Sequence, residues 1–497
     1  MNIYEPIGYK WLIEYFGLNL TLRRLSVISP KKLFSQRKEE DKRLIFDIQF
    51  KVEATPFANL KFAIKHEELD LLVLKYIFKS FCIDELVINI KSNPKLILHK
   101  KIWFYYEFLL DNKLPIDDLP IGRYDNLLNP KKYITRTIPI KSKRHKINNN
   151  LLGSSTLCPI IQRTKTIDMY LHSDLSSHIS TIISKVSKSL IQRASSFLLL
   201  ADSRASFEIE GEIVNNNRVK NWGKIINQAG KISLSIKEIE RLHSILLEKS
   251  RFIKIGLRDN EVFLGDRDRE NRPIPQFIGA KSDDLEVLMN NWLELHEILT
   301  REELDPIFHA TILAFSFVYI HPLEDGNGRI HRYLLHHILA ERGFYPKGMI
   351  FPISSVILDE IEKYQDVLVS HTLPLLPMIE WEATTNGNVK IQNNTIDLYR
   401  FFDITKSCEF LYYIVEKTIK DTLPSELHYL TSFDKASSEI NEIVAMPNNM
   451  IKSLITFILQ NGGKLSKKKQ NKYFEKLTII ELNEIERVVA DSFQLNI

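Results

Sequence analysis

The sequence predicts a mainly α-helical protein in three parts, with one β-hairpin inserted near its middle. Three observations carry that expectation. Residues 306–320 are apolar almost all round and follow an Asp305-Pro306 helix start, so they should form a helix buried in the centre of a domain. Residues 66–110 contain three helical stretches, HEELDLLVLKYIFKSF, IDELVINI and KLILHKKIWFYYEFLL, separated by short breaks. Near the other end Thr478 is followed three residues later by Glu481 and an apolar stripe, the pattern of a capping box.

The chain of 497 residues is too long for one core. Residues 129–150, NPKKYITRTIPIKSKRHKINNN, combine prolines, a basic run and an Asn triplet, which suits an exposed connector. TTNGN at 384–388 is a turn signal and marks a second break. The expected parts are therefore 1–150, 151–385 and 386–497, the last all helical, with GGKLSKKKQNK at 462–472 as a basic turn. The first part fits a plain helical packing domain, in which Lys95, His99, Lys100 and Lys101 are solvated charges, in preference to a helix-turn-helix or winged-helix-like unit.

Composition narrows the class of function. Hydrophobic residues at 44% and charged residues at 26% are globular proportions. The net charge of +5 is far below that of a nucleic-acid coat, so any basic surface must be local. Cys82, Cys158 and Cys408 are odd in number and widely spaced, which fits neither a disulfide framework nor a CxxC metal site and points to a reducing cytoplasm. The amino terminus lacks the pattern of a secretory signal, and the longest apolar run is about half of the roughly 20 residues needed to cross a membrane. A cytoplasmic protein without membrane association is expected.

The chemistry lies after the apolar helix, in HPLEDGNGRIHR at 321–332. A second helix should begin near Asn327 and stop at Gly343. Gly326 and Gly328 let backbone approach a ligand, and the free amides at the new helix start point at whatever sits there. Arg329 and Arg332 are three apart on that helix and can grip further phosphate oxygens. Asp325 offers a hard oxygen to Mg²⁺, and His321 accepts a proton near neutral pH.

This segment resembles the Fic family, whose motif is HPFx(D/E)GNGRxxR. Every defining polar position is present, and Leu323 replaces the family's Phe at a packing position. The resemblance spans roughly residues 186–380 and reaches two further elements. SFEIEG at 206–211 resembles the inhibitory motif (S/T)xxxE(G/N), with Ser206, Glu210 and Gly211 at its defining positions. NEVFLG and IPQFIG, at 260–265 and 274–279, resemble the hairpin flap over the family's active site, although Pro275 weakens the second strand.

The resemblance implies a helical Fic fold and transfer of AMP from ATP to a Ser, Thr or Tyr hydroxyl of a target protein, or of the enzyme itself. It implies His321 as the base and Asp325 as the Mg²⁺ ligand. The amides of residues 326–328 and the Asn327 side chain would cradle the phosphates, with Arg329 and Arg332 on the outer ones. Val262, Phe263, Leu264 and Gly265 of the flap would line the nucleotide and target chain, and Tyr364 would contact the adenosine end. Glu210 would reach Arg332 and hold the enzyme inactive. His331, His336 and His337 have no implied role. A phosphoryl-transfer variant would carry a basic residue at position 328, where this chain has Gly. The alternative from another class is a DNA-binding regulator or toxin–antitoxin-like protein that keeps this core as a nucleotide sensor. A homodimer is compatible with the sequence.

Overall fold

The computed structural model describes residues 4–248 and 250–495. It opens with β1 (Glu5–Pro6), α1 (Tyr9–Phe16), β2 (Leu25–Ile28), β3 (Arg37–Glu40) and β4 (Arg43–Phe46). These strands form one sheet in the order β1-β2-β4-β3, with β2 parallel to β4 and the other pairs antiparallel. The amino-terminal region is thus α+β rather than helical as expected. Strands of two to four residues carry too little alternation to be read from sequence.

The helices follow as anticipated. After α2 (Pro56–His66), the three stretches become α3 (Leu71–Ser80), α4 (Ile83–Ser92) and α5 (Ile97–Leu110). Thr55 and Asp70 start α2 and α3 by accepting from Ala58 N–H and Val73 N–H. In α5, however, His99 and Lys100 are buried, and Lys100 Nζ reaches Asp125 Oδ2 at 2.6 Å. Together with buried Trp103, Phe104, Tyr105 and Tyr106 they make α5 a packing helix, in which His99 and Lys100 are not the solvated charges expected.

The segment 129–150 is not a connector. It contributes β6 (Ile140–Ser142) and β7 (Ile147–Asn149) to a three-stranded sheet with β5 (Asp125–Asn126). Arg144 is bound by Glu107 and Asp118, and His145 Nε2 lies 3.0 Å from Glu107 Oε2. Asn150 exchanges two hydrogen bonds with the backbone of Leu128, at 2.8 and 3.0 Å. The basic and Asn-rich composition serves partners distant in sequence, which no local pattern displays. β8 (Cys158–Ile160) follows and joins, in parallel, a strand more than 240 residues later.

The central body comprises α6 (Lys165–Ser173), α7 (Leu175–Ser184), α8 (Lys188–Glu208), α9 (Asn216–Ile226) and α10 (Ile236–Leu247). The hairpin β9 (Phe263–Arg267) and β10 (Pro273–Ile278) comes next, then α11 (Leu285–Thr300), α12 (Pro306–Ile320), α13 (Asn327–Glu341), α14 (Ile353–Asp359) and α15 (Ile361–Thr372). The predicted start of α12 holds, with Asp305 Oδ1 accepting from Ile307 N–H at 2.8 Å. Residues 307–320 are all buried. α13 ends where Gly343 takes a left-handed φ of 67°.

TTNGN is a turn, but not a break between domains. It joins β11 (Trp381–Ala383) to β12 (Val389–Ile391), and its Gly387 carbonyl accepts from Arg267 of β9. β13 (Phe401–Asp403) is the late partner of β8, and α16 (Thr405–Lys417) packs on α12. One continuous core runs from Tyr9 to Leu423, so neither expected boundary divides it. A separate core forms beyond it, from α17 (Leu423–Ile443), α18 (Asn448–Gln460), α19 (Lys467–Tyr473) and α20 (Ile479–Phe493), and a small cluster of Ile7, Ile28, Leu44, Phe46 and Phe62 lies at the amino-terminal sheet. The capping box at Thr478 and Glu481 is present, whereas the basic turn is partly helical, as α19. The cysteines are unpaired, and among the described residues no helix is long and apolar enough to cross a membrane.

His371 on α15 stacks on Tyr319 of α12, with ring centroids 3.7 Å apart. Burial, aided by the Arg23 charge, pushes its pKa down to about 3. The folded value lies below the ordinary 6.5, so the unfolded chain binds the extra proton first and stability falls as pH drops below 6.5. His371→Phe should match wild type near pH 7 in urea denaturation and exceed it by about 2 kcal/mol at pH 5. An equal difference at both pH values would contradict a buried neutral imidazole.

Candidate active site

α12 ends at the residue that matters most. Pro322 disfavours right-handed helical geometry for the residue before it, and His321 turns into a left-handed conformation with φ 56° and ψ 58°. Its ring is 8% exposed and packs against Phe277 of β10. Nδ1 lies 3.1 Å from the Val318 carbonyl, which can only accept, so Nδ1 carries the proton and Nε2 keeps a free lone pair. Burial pushes the His321 pKa down to about 4, opposed by the Val318 carbonyl and assisted by Arg258. The ring is therefore neutral at pH 7.

Arg258, which the motif reading did not single out, holds this turn to the hairpin. It donates from Nε to the His321 carbonyl at 2.9 Å, from one terminal nitrogen to Asn260 O at 2.6 Å, and from the other to Ala280 O. Burial lowers its pKa to about 10, still well above neutrality. Gly279 lies beneath, where a Cβ would stand 3.2 Å from His321 Cβ.

The loop from 322 to 326 is closed by Asn327, whose side chain accepts from Leu323 N–H at 3.0 Å and donates to Leu323 O at 2.8 Å. The Asn327 amide group, expected on phosphate, is thus occupied in shaping the loop. Leu323 itself is fully buried. Gly326 has φ 82°, a left-handed conformation that favours Gly, and a Cβ there would lie 2.5 Å from Leu246 Cδ2, which would have to shift. α13 begins immediately after it, with no side chain capping its first amides.

Glu210 lies beside this helix start: a Cβ at Gly328 would be 2.9 Å from Glu210 Cδ, so the carboxylate packs against the first turn of α13. The same carboxylate pairs with Arg332 Nη1 at 2.8 Å. Arg332 also donates from Nε to Ser206 Oγ at 3.2 Å and from Nη2 to Ser206 O at 2.6 Å. It thereby satisfies a carbonyl in the last turn of α8, where helices lack intrahelical partners. Glu210 itself stands in the turn just beyond α8, not within the helix, and Gly211 follows with φ 72°.

Arg329 is likewise engaged, at 3.0 Å from Asp325 Oδ1 and 2.5 Å from Glu212 Oε1, with Phe207 beneath it. Glu212 was missed by motif reading, which stopped at Gly211; an acid two residues after Glu210 was the available signal. Asp325 is 45% exposed, and its Oδ1 accepts from Gly326 N–H and Arg329. A single accessible carboxylate fits Mg²⁺, which takes one or two carboxylates and fills its shell with water and phosphate oxygens.

The hairpin contains Val262 at its base and Phe263, Leu264 and Gly265 in β9. Leu264 and Gly265 are exposed, and among the described residues β9 pairs only with β10, through a register shift between Pro275 and Phe277. Tyr364 is buried against the rings of His331 and Phe410, with its hydroxyl toward Arg332. His331 and His337 are held by Ala314 O and by Tyr333 and Gly230.

The Fic/DOC family profile matches residues 233–339. Residues 233–339 are a Fic/DOC domain. Protein adenylyltransferase fic-1 of Caenorhabditis elegans is 29% identical over 151 residues, covering 30% of this chain and 27% of that protein. Protein adenylyltransferase Fic of Drosophila erecta is 34% identical over 182 residues, covering 31% of this chain and 34% of that protein. The chain thus spans about a third or less of these curated relatives. A solved Fic family protein from Desulfovibrio desulfuricans G20 aligns over 68% of this chain and 87% of its own, with 16% identity and a TM-score of 0.39. The segment 206–212 lies outside the matched Fic/DOC residues.

In NMR of ¹³C-labelled histidine, the His321 signal, assigned by its loss in His321→Ala, should not titrate between pH 8 and 5.5. A midpoint near 6.5 would show that the ring is not held neutral by burial.

Proposed function

We propose that this protein is a protein adenylyltransferase that transfers AMP from ATP to a Ser, Thr or Tyr hydroxyl of a target protein or of itself, and that Glu210 holds it inactive. The observation that carries the reading is the neutral His321, with Nε2 free, beside a glycine-lined helix start and two arginines. The names of the Fic relatives support the reaction class.

In the active state, Nε2 of His321 takes the proton of the target hydroxyl while its oxygen bonds to the α-phosphorus. The bond from that phosphorus to the bridging oxygen breaks, and its electron pair leaves with pyrophosphate. The amides at the start of α13 and the guanidinium groups of Arg329 and Arg332 bind the phosphate oxygens, so the protein contributes position and charge compensation. Asp325 would hold Mg²⁺, which would offset negative charge on the phosphates. The exposed edge of β9 receives the target segment as an added strand. Gly328, in place of a basic residue, favours nucleotidyl over phosphoryl transfer.

Glu210 occupies the position of an outer phosphate. While it neutralises Arg332 and sits on the first turn of α13, ATP must bind displaced, and a shift of about 1 Å can cost ~100-fold in rate. Glu210→Gly should therefore raise label transfer from ATP to the protein itself and to lysate proteins, and adding His321→Ala should silence it by ~10²- to 10⁴-fold while ATP binding survives. A folded, ATP-binding Glu210→Gly variant no more active than wild type would overturn the inhibitory reading; a fully active double variant would overturn His321 as base. In calorimetric titration of the Glu210→Gly protein, Arg332→Ala should weaken ATP much more than AMP, which lacks the groups that the guanidinium would grip. Equal losses would remove that assignment.

A further inference from the structure

α8 and α13 are joined by a regular antiparallel ladder that extends beyond the inhibitory motif. Glu210 lies over Gly328 and Ser206 binds Arg332, four residues back on one chain and four residues on along the other. The next step is again four and four: Asp202 Oδ2 stands 2.8 Å from His336 Nε2, a close contact of carboxylate and imidazole that is not aligned as a hydrogen bond. Four residues are about one helical turn, so the three rungs fall on the facing sides of the two elements. The third rung is the most deeply enclosed, with side chains 0% and 1% exposed. Asp202 also accepts from Ser355 N–H at 3.1 Å, at the start of α14.

We infer that Asp202 is a positioning residue for inhibition: through His336 and Ser355 it fixes where α8 lies along α13, and so places Glu210 on Arg332. This rests on the inhibitory reading of Glu210. Glu210 has little else to hold it, since its side chain is 35% exposed and it lies in a turn after the helix end. Its reach depends on where α8 stops. Ser206 alone does not determine that position, because its carbonyl and hydroxyl are both bound by the same arginine that Glu210 uses. Asp202 is the rung that does not share a group with the nucleotide site. A buried carboxylate facing an imidazole is costly to leave unpaired, so the contact favours one setting of α8 over neighbouring ones.

The test follows self-modification by the full chain in two backgrounds. With Glu210 present, Asp202→Ala should raise the rate on the order of tenfold, which corresponds to about 1.4 kcal/mol of lost docking. Asp202→Asn, which can still accept from Ser355 N–H and donate to His336, should stay near wild type. With Glu210→Gly already present, Asp202→Ala should change neither rate nor ATP affinity by more than about twofold, because no inhibitory carboxylate remains to be placed. Asp202→Ser, too short to reach either His336 or Ser355 but still polar, serves as the second breaking variant if Asp202→Ala does not fold. Equal loss of activity in both backgrounds would mean a merely structural role and overturn the inference. So would folded Ala and Ser variants as silent as wild type while Glu210→Gly is active. If Glu210→Gly is itself silent, the inhibitory reading fails, and this inference with it.

Discussion

A guanidinium that is almost wholly buried must find acceptors, and Arg332 finds them in Ser206 and Glu210, outside its own helix. Much around the site follows from that need. α8 must end where its last carbonyls can face Arg332, and the chain must then turn so that a carboxylate can come down on the start of α13. Gly328 must lack a side chain to admit it. Arg329, one helical turn after Asp325, repeats the arrangement with Glu212 and Asp325. Two cations that the sequence offers to a nucleotide are thus both neutralised within the chain.

The second constraint acts on the other side of His321. A neutral imidazole with a defined free nitrogen requires a dry pocket and a carbonyl on Nδ1. The end of α12 supplies the carbonyl through Val318, and Phe277 and Arg258 supply the enclosure. The hairpin therefore does more than present an exposed edge. Its base forms one wall of the base's pocket, tied to the His321 backbone by Arg258.

How much of this was legible in sequence depended on how local the cause was. The buried helix α12 was readable from its unbroken apolar run, its start from Asp305-Pro306, and the loop from its glycines. Each is a property of neighbouring residues. The pairing of Glu210 with Arg332 became readable only through resemblance to a family motif, because the two residues lie more than 120 positions apart. Arg258 and Asp202 were not readable, since charged residues in a surface-like context acquire meaning only from partners brought by the fold. The misplaced boundaries have the same origin: residues 129–150 look exposed until Glu107, Asp118 and Leu128 are beside them. A turn such as TTNGN punctuates the chain without saying whether a hairpin or a linker follows.

The outer half of α8 adds one more consequence. Arg193 pairs with Asp434 of α17, and Lys452 of α18 lies over Phe197, so the helix that carries Glu210 is gripped by the carboxy-terminal unit at one end and by α13 at the other. A carboxylate delivered by so restrained a tether acts as a ligand whose effective concentration is set by geometry and not by dilution, in the millimolar range or above for short connections. Any free anion seeking the start of α13 competes against that fixed local concentration, and diluting the protein does nothing to help it.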